Sequence, residues 1–375
     1  MANTKKETIV FFTPYLFPGG GDVVLLTLAE GFALKDYNVD FLLGRAGGPL
    51  MQTVPQNINL RVLGVKRMLH AIRLVRRYII DEKPKAIIAT QEHAHLIIIL
   101  ANLLAGRKTK TIIRIGIPFS VMFQKYDTVR DKLFIPILSK LLYRFANRFI
   151  AVSEGIAGDF SKTIGVQRTR ITVIHNPKDI QKIEALGKER TGHVWADTKQ
   201  APLIVASGRL SEQKDFLTLL KAFKMLLQKT DARLLILGDD GGERKKLENF
   251  IEENNLKEKV QLLGFVQNPY AYMARADVFA SSSKWEGLPN VIIEALILGV
   301  PVVATDCAPG GAREILGDNV YGVLVPIGNH VLLSRALENL LKDEALRKKN
   351  HDMGRKRGED FTLSKIMREY KSLLI

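Results

Sequence analysis

Short apolar runs alternate with longer amphipathic or polar segments along almost the whole chain. In the first half, runs with strand character span residues 8–13, 38–43, 86–90, 111–116, 148–153 and 171–177. In the second half, the same pattern gives runs at residues 202–208, 233–238, 260–265, 278–283, 300–305 and 321–326. Strand–helix repeats of this kind build parallel sheets with helices on both faces. The pattern therefore predicts an α/β protein with two doubly wound, Rossmann-like units.

The repeat is interrupted once, by a polar and weakly patterned segment from residue 178 to residue 200. A chain of 375 residues also exceeds the size at which one hydrophobic core usually stops growing. We therefore predict two domains, at residues 1–178 and 200–358, joined by a linker. Because ligands of doubly wound sheets bind beyond the carboxyl ends of the strands, we expect the functional site in a cleft between the two units.

The net charge of +16 is concentrated in the first half of the chain. Residues 1–178 hold 26 Lys and Arg against 12 Asp and Glu, a net +14, whereas residues 179–375 hold 29 against 27, a net +2. Such an excess favours an anionic partner, with an anionic membrane, an anionic acceptor and nucleic acid as the candidates. No zinc finger, aromatic-basic RNA motif or DNA-reading helix is recognisable, so we expect no nucleic acid partner.

Redox and targeting features are few. Cys307 is the single cysteine, which excludes an internal disulfide and fits a reducing compartment. We interpret it as a packing residue after a strand rather than as a reactive thiol. The longest apolar run, residues 95–105, is too short to cross a bilayer, and the first 17 residues are typical of a strand rather than of a signal peptide. These features predict a cytoplasmic protein without a membrane-spanning anchor.

The most informative segment lies between residues 281 and 314 and carries two acidic residues, Glu286 and Glu294. Pro289 is suited to the first position of a helix and Gly299 to its left-handed end, which places Glu286 in a loop and Glu294 in the helix. The helix start between the two acids offers backbone N–H groups and the positive end of the helix dipole, a suitable seat for phosphate. An anion site flanked by two carboxylates that can bind hydroxyls fits a sugar nucleotide.

This segment resembles the signature of the retaining glycosyltransferases of family 4, which have the GT-B fold. The resemblance extends to a glycine loop and first helix at residues 19–43 and to an Arg-Leu-x-x-x-Lys segment at residues 207–223. The residues that match the signature itself are Glu286, Gly287, Pro289, Glu294, Ala295, Gly299, Pro301 and Thr305. The resemblance implies that residues 359–375 form a C-terminal helix that crosses back onto the N-terminal domain.

The resemblance also implies a role for each matching residue. Arg209 and Lys214, which follow a predicted strand, bind the diphosphate of the donor; Glu294 binds the ribose and Glu286 contacts the donor sugar near the reacting carbon. Further donor-binding residues are the glycine loop, the loop after the third strand of the second unit, and the helix start: Gly20, Gly21, Gly264, Phe265, Gly287, Leu288, Pro289 and Asn290. The chain departs from the family pattern after Gly21, where Asp and Val stand in place of a basic residue.

Retention in this family is usually explained by front-face attack, in which the departing phosphate takes the proton of the acceptor, so neither a dedicated nucleophile nor a metal is implied. Many relatives have a histidine of the first domain near the sugar. His93 and His95 follow the strand at residues 86–90, and we take His93 as the candidate catalytic residue, with a buried or solvated histidine as the alternative. Asp239 and Asp240 lie in a glycine-rich turn before a helix and are interpreted as a helix cap rather than a metal site.

Two basic helical segments of the first half indicate an acceptor on a membrane. On a helical wheel of residues 66–79, the cations and the apolar residues lie on opposite faces. Lys140, Arg144 and Arg148 form a stripe at four-residue spacing, beside apolar residues that include Phe134 and Leu141. Basic residues near anionic headgroups contribute about 1 kcal/mol each, so five or six would hold the enzyme loosely at the inner face of the cell membrane. Ordinary surface helices are the alternative.

The leading hypothesis is a retaining transferase that moves a hexose or N-acetylhexosamine from a nucleotide-diphosphate sugar, with UDP favoured, to a lipid-linked saccharide. One alternative keeps the fold but acts on a soluble acceptor or epimerises a sugar nucleotide, and the paired acids with Arg209 and Lys214 argue against epimerisation. The other is a basic nucleic-acid-binding protein. Thermal stabilisation by UDP but not by oligonucleotides separates the enzyme from the nucleic acid binder.

Overall fold

The computed structural model describes residues 6–17, 19–34, 37–124 and 129–374, with the backbone alone for residues 49 and 129–134. Phe134, counted above with the apolar residues of a basic stripe, lies outside the described side chains. The chain forms two compact units, of which the first comprises Met1–Pro177 with Leu363–Ile375 and the second Lys178–Thr362.

Regular elements follow the strand–helix alternation that the sequence predicts. The strands of the described residues are β1 (Thr8–Thr13), β2 (Asn38–Leu43), β3 (Asn59–Val62), β4 (Ala86–Ala89), β5 (Lys110–Ile115), β6 (Arg148–Ala151), β7 (Ile171–Val173), β8 (Leu203–Ser207), β9 (Arg233–Leu237), β10 (Val260–Gly264), β11 (Val278–Ser281), β12 (Val302–Thr305) and β13 (Val323–Val325). The helices are α1 (Gly20–Ala33), α2 (Ala71–Glu82), α3 (Glu92–Leu104), α4 (Phe119–Gln124), α5 (Val129–Tyr143), α6 (Glu154–Ile164), α7 (Ile180–Gly187), α8 (Val194–Thr198), α9 (Phe216–Leu226), α10 (Arg244–Glu253), α11 (Pro269–Met273), α12 (Asn290–Ile297), α13 (Gly311–Leu316), α14 (His330–Lys342), α15 (Glu344–Gly358) and α16 (Leu363–Ser372).

Each unit is built on one parallel sheet. The first has the strand order β3-β2-β1-β4-β5-β6-β7 and the second the order β10-β9-β8-β11-β12-β13. The central strands β1 and β4 are almost wholly apolar and buried, as strands covered by helices on both faces must be. The strand order reverses between β1 and β4 in the first sheet and between β8 and β11 in the second. Such a switch point opens a crevice at the carboxyl ends of its two strands.

The C-terminal helix belongs to the first unit. Ile366, Met367 and Tyr370 of α16 are buried in the same core as Phe32 of α1. The packing is close at Gly31, where an added Cβ would lie 2.7 Å from the sulfur of Met367, so this position accepts no larger residue without movement. The apolar face of α16 completes the hydrophobic core of the N-terminal sheet.

A polar cluster lies buried beside the fifth strand of the first sheet. Arg114 is 2% exposed and donates to the hydroxyl of Thr90 at 2.9 Å, to the hydroxyl of Tyr370 at 3.2 Å and to the side-chain oxygen of Asn176. The ring of His95 contacts the Tyr143 hydroxyl at 3.0 Å and the Arg114 carbonyl oxygen at 3.1 Å. Burial lowers the pKa of His95 to about 3, so this histidine is a neutral part of the core.

This buried histidine predicts a pH-dependent stability. The unfolded chain binds a proton on His95 below pH about 6.5, whereas the folded chain does so only below about 3, so stability is lost as the pH falls between these values. We expect the destabilisation caused by His95→Gln to be about 2 kcal/mol smaller at pH 5 than at pH 7. Denaturant unfolding of both proteins at the two pH values measures this difference. A constant difference would contradict the assignment.

Two sequence predictions of secondary structure are corrected. The helix expected from about residue 66 begins at Ala71, after a 3₁₀ turn at Met68–His70, so the helical wheel drawn for residues 66–79 does not apply to its first turn. Leu69, assigned to the apolar face, is 73% exposed. The segment 178–200 was expected to be a linker, but it contains α7 and α8, which are part of the second unit.

Candidate active site

The candidate site is built at the switch point of the second sheet. The loop after β8 carries Arg209 and Lys214, and the loop after β11 carries Glu286. Because β8 and β11 are parallel neighbours, the residues that follow them lie at the same edge of the sheet. Lys214 and Glu286 are therefore brought together although 71 residues separate them in the sequence.

Glycines allow the loop after β8 to approach its neighbours closely. A Cβ at Gly208, where φ is +154°, would lie 2.7 Å from Cε of Lys214. A Cβ at Gly241 would lie 2.7 Å from Cγ of Arg209. The stems of both cations thus pack against backbone. Arg209 is exposed, and its side chain has no hydrogen-bonding partner among the residues that the structure describes, so its guanidinium is available to an anion.

Glu286 is held by three side chains. Its Oε1 accepts from the Lys214 ammonium at 2.5 Å and from the Ser283 hydroxyl at 2.8 Å, and its Oε2 accepts from the Gln213 amide at 3.3 Å. The carboxylate is 8% exposed, and the Lys214 side chain is 17% exposed. A paired and hydrogen-bonded carboxylate of this kind keeps a fixed orientation, which suits contact with sugar hydroxyls.

Glu294 lies one turn into α12 and is bound by partners that the sequence did not indicate. The Lys178 ammonium donates to its Oε1 at 2.5 Å, and the Tyr270 hydroxyl also donates to this carboxylate. Both side chains of the ion pair are nearly buried: the exposed fraction is 7% for Lys178 and 11% for Glu294. The charge of Glu294 raises the pKa of the Tyr270 hydroxyl above its usual value, with burial as the second cause. Lys178 and Tyr270 have no local sequence signal, because each reaches Glu294 only through the tertiary fold.

The helix start expected between the two acids is present, one residue later than predicted. Asn290 is the first residue of α12 and Pro289 precedes it as the N-cap. Gly287, Leu288 and Pro289 are buried, whereas Asn290 is partly exposed. At Gly299 φ is +72°, so the helix ends as the sequence predicts.

Two further donor-binding candidates, Gly264 and Phe265, lie at the carboxyl end of β10. Gly264 has φ +73°, and its carbonyl oxygen accepts from the Gly238 N–H at 2.7 Å, which ties this loop to the loop after β9. The Phe265 side chain is 60% exposed. A large aromatic ring in this position is available to stack on a nucleotide base, since bases stack on aromatic faces.

The candidates of the first unit lie at the switch point of the first sheet. Gly20 and Gly21 begin α1 after β1, and a Cβ at Gly21 would meet nothing within 4 Å. His93 is exposed in the first turn of α3, after β4. Asp22 connects the two loops, because its carboxylate accepts from the Phe17 N–H at 3.1 Å and from the Gln91 amide at 3.3 Å. Burial raises the pKa of the Asp22 carboxyl.

The remaining candidates have structural roles. Cys307 is 1% exposed, and burial together with the charge of Glu286 raises the pKa of its thiol to about 12, as expected for a packing residue. Asp240 accepts from the backbone N–H groups of Gly242 at 2.8 Å and Arg244 at 3.1 Å, so it stabilises the turn that leads into α10, although the N-cap residue of this helix is Glu243. In the described part of the chain, no three His, Cys, Asp or Glu side chains cluster in a way that could hold a metal ion.

The two units together have the GT-B fold. The solved structure of the Anabaena protein HepE in complex with UDP superposes with a TM-score of 0.82 over 98% of this chain and 99% of that one, at 22% identity. The structure of WaaG, a glycosyltransferase involved in lipopolysaccharide biosynthesis, superposes with a TM-score of 0.75 over 98% of this chain and 99% of that one, at 16% identity. At these identities the structures show the fold alone.

Sequence relationships establish the family. Residues 18–182 match the model of "Glycosyltransferase Family 4", and residues 189–357 match that of "Glycosyl transferases group 1". A Campylobacter jejuni protein, N-acetylgalactosamine-N,N'-diacetylbacillosaminyl-diphospho-undecaprenol 4-alpha-N-acetylgalactosaminyltransferase, is 34% identical over 270 residues, 72% of this chain and 71% of its own. The chain belongs to glycosyltransferase family 4, and it is an enzyme that transfers sugars. The predicted family and GT-B fold are thereby confirmed.

Among residues 6–17, 19–34, 37–124 and 129–374, none of the helices is long and apolar enough to cross a bilayer.

Proposed function

We propose that this enzyme transfers a hexose or N-acetylhexosamine from a UDP-sugar to a hydroxyl of a lipid-linked saccharide, with retention of the anomeric configuration and without a metal. The observation that carries the proposal is the pairing of Lys214 with Glu286 at the switch point of the second sheet, where the side chain of Arg209 has no hydrogen-bonding partner among the described residues. The names of similar proteins support this choice of donor and acceptor. The HepE structure contains UDP, and the Campylobacter protein is named for transfer to a diphospho-undecaprenol glycoside.

In this proposal the second unit holds the donor. Arg209, the Lys214 ammonium and the start of α12 bind the diphosphate, where negative charge develops as the bond to the anomeric carbon breaks. Fixed cations in a partly buried site stabilise that charge more than water does. Glu294 accepts the ribose hydroxyls and Phe265 stacks on the base, with Gly264 leaving room for it. Gly287, Leu288, Pro289 and Asn290 form the wall next to the sugar and phosphate.

Transfer then needs no enzyme nucleophile. The acceptor hydroxyl attacks the anomeric carbon on the face that the diphosphate leaves, so the new C–O bond has the configuration of the old one. The proton of the acceptor passes to the departing phosphate oxygen, and the free nucleoside diphosphate is released. Glu286, oriented by Ser283 and Gln213, accepts hydrogen bonds from the donor sugar and fixes it for this attack. Gly20, Gly21 and His93 are the proposed contributions of the first unit.

A membrane-bound acceptor fits the surface of the first unit. On and just after α5, Ile137, Leu141 and Phe145 are 58%, 49% and 43% exposed, and the cations Lys140 and Arg144 lie among them. Exposed apolar residues interleaved with cations are typical of helices that rest in the headgroup region of a bilayer. We therefore propose that the enzyme associates peripherally with the cytoplasmic leaflet of the membrane through this helix.

Vesicle binding tests the membrane part of the proposal. We expect the wild type to sediment with phosphatidylglycerol vesicles at low salt and Ile137→Ser/Leu141→Ser to lose most of this binding, because apolar insertion is removed. Ile327→Ser, at an apolar residue that is 44% exposed in the second unit, is the matched control. Equal binding by the wild type and the double variant would contradict the assignment of this surface.

Activity is tested by a donor screen. Nucleoside diphosphate release is measured with UDP-, GDP- and ADP-sugars, with and without membrane lipid extract, and the anomeric configuration of the product is read by NMR. We expect UDP release that depends on the lipid extract and an α-linked product from an α-linked donor. Inversion at the anomeric carbon, or turnover that requires an added divalent cation, would contradict the proposed mechanism.

A further inference from the structure

A second basic site lies far from the switch points, at the amino ends of the strands of the first sheet. A shallow cavity of about 430 Å³ opens there, and its lining includes the residues that immediately precede or begin β1, β4 and β5. The charged residues of the lining are Glu7, Lys83, Lys85, Arg107, Lys108 and Lys110. Since β1 is six residues long, roughly 20 Å of strand separates this edge from the glycine loop that holds Gly20 and Gly21.

Three of the cations of this cavity have no acidic partner among the residues that the structure describes. Glu7 is the one carboxylate among the described residues of the lining, and it pairs with Lys85 at 2.6 Å. The ammonium of Lys110 donates to the carbonyl oxygen of Leu374 at 3.0 Å. Within the described parts of the chain, Lys83, Arg107 and Lys108 have no acidic partner, and all three are exposed. Three exposed cations without an acidic partner raise the local concentration of anions.

One more cation adjoins the cavity. The ammonium groups of Lys85 and Lys371 lie 5.9 and 5.8 Å from the centre of the Tyr37 ring. Lys371 is part of α16, the C-terminal helix, so the positive region combines loops that precede three strands with the end of the chain.

The backbone at two of the cations is unusual. Lys83 ends α2 with φ +49°, and Arg107 has φ +60°, both in the left-handed region where glycine and asparagine are favoured. A long cationic side chain gives no conformational advantage in this region. Asparagine tolerates this region better than lysine or arginine, so the charge at these two positions can be removed without straining the backbone.

We propose that this cavity is a binding site for a phosphate-bearing anion, separate from the donor site. Clustered Lys and Arg side chains bind phosphate oxygens through charge-assisted hydrogen bonds, and the volume lies in the range of small-ligand sites. Thr8, Thr109 and Asn147 add polar groups to the lining. The phosphate can belong to a free anion or to a lipid headgroup, and the two sources are separated by the probes below. The site does not depend on the proposed sugar transfer, since its lining contains none of the residues to which that proposal gives a role.

The left-handed backbone provides a variant that removes charge without disturbing the fold. Lys83→Asn/Arg107→Asn/Lys108→Gln deletes three cations and places at residues 83 and 107 an amino acid that tolerates positive φ. We expect this triple variant to keep or raise the melting temperature of the unliganded protein. Lys199→Asn is the matched control, because Lys199 also ends a helix, α8, with φ +49° but lies in the second unit, away from this cavity.

Binding is measured on the full chain with inorganic pyrophosphate by calorimetry and thermal shift, and with phosphatidylglycerol vesicles by sedimentation, all at low salt. Saturating UDP is present so that pyrophosphate binds less at the donor site. Any pyrophosphate binding that remains at the donor site affects all three proteins equally.

We expect the triple variant to bind pyrophosphate about tenfold or more weakly than the wild type and Lys199→Asn do. This result identifies a site for free anions. Weaker binding to vesicles alone identifies a lipid headgroup site. If all three proteins bind both probes equally, the proposal is wrong.

Discussion

Lys214→Met is expected to lower kcat/KM for the sugar donor by about 10²–10³-fold, because it removes a fixed cation from the place where charge develops on the leaving diphosphate. Among the described residues, the substitution also leaves Glu286 with only the Ser283 hydroxyl and the Gln213 amide as side-chain partners, so the contact with the donor sugar loses its orientation. Most of the loss should be in kcat, since the charge being stabilised is greatest in the transition state. Steady-state measurement of nucleoside diphosphate release gives both constants.

Two variants make this prediction specific to the site. Lys221→Met removes an exposed lysine of α9, a helix that follows the same loop, and should leave kcat/KM unchanged. Lys214→Arg keeps the charge but changes its geometry and should fall between the wild type and Lys214→Met. If Lys214→Met retained more than about a third of the wild-type activity, Lys214 would have no direct role in stabilising the leaving group.

Lys178→Met is expected to destabilise the second unit by about 3–5 kcal/mol, because it leaves the carboxylate of Glu294 buried without its cation. The side-chain partner that remains among the described residues, the Tyr270 hydroxyl, is neutral and compensates only in part. We also expect weaker binding of UDP, since Glu294 loses the ammonium that orients it. Denaturant unfolding monitored at Trp195 and Trp285, both in the second unit, measures the stability.

A double substitution separates the effect of the unpaired charge on stability from the other effects of removing Lys178. Lys178→Met/Glu294→Gln removes both charges and should recover most of the lost stability while UDP binding stays weak. Lys182→Met, at an exposed lysine of α7, is the control and should unfold like the wild type. If the double variant were as unstable as Lys178→Met, the destabilisation would come from lost packing of the lysine stem rather than from an unpaired charge.

The architecture of the sheets follows directly from local sequence patterns. The strands predicted at residues 8–13 and 38–43 have these bounds in the structure, because buried parallel strands are continuous apolar runs with polar ends. Helices α7 and α8 could not be predicted in the same way. They have eight and five residues, the surrounding segment is polar, and the contacts that stabilise α7 come from the distant α11 and α12.

For the same reason, only part of the candidate site could be predicted from local sequence patterns. Motifs with fixed spacing indicate Arg209, Lys214, Glu286 and Glu294, and the structure places Lys214 against Glu286. Lys178 was missed, because its partner is 116 positions away and a single lysine after Asn-Pro has no pattern of its own. Its position at the start of the second unit is the one signal available, since a chain that crosses between units often passes close to a ligand. The backbone there is fixed by the bond from the Lys178 N–H to the Phe361 carbonyl oxygen at 2.7 Å.

The most direct test of the central claim is UDP release from a UDP-sugar by the wild type and by Glu286→Gln, with lipid extract as the source of acceptor. Glutamine keeps the size of the side chain but removes the charge that pairs with Lys214. We predict multiple turnovers by the wild type and a loss of at least about 10²-fold in the variant, with both proteins folded and able to bind UDP. Equal turnover by the two proteins, or no turnover by the wild type with any nucleotide sugar, would contradict the account.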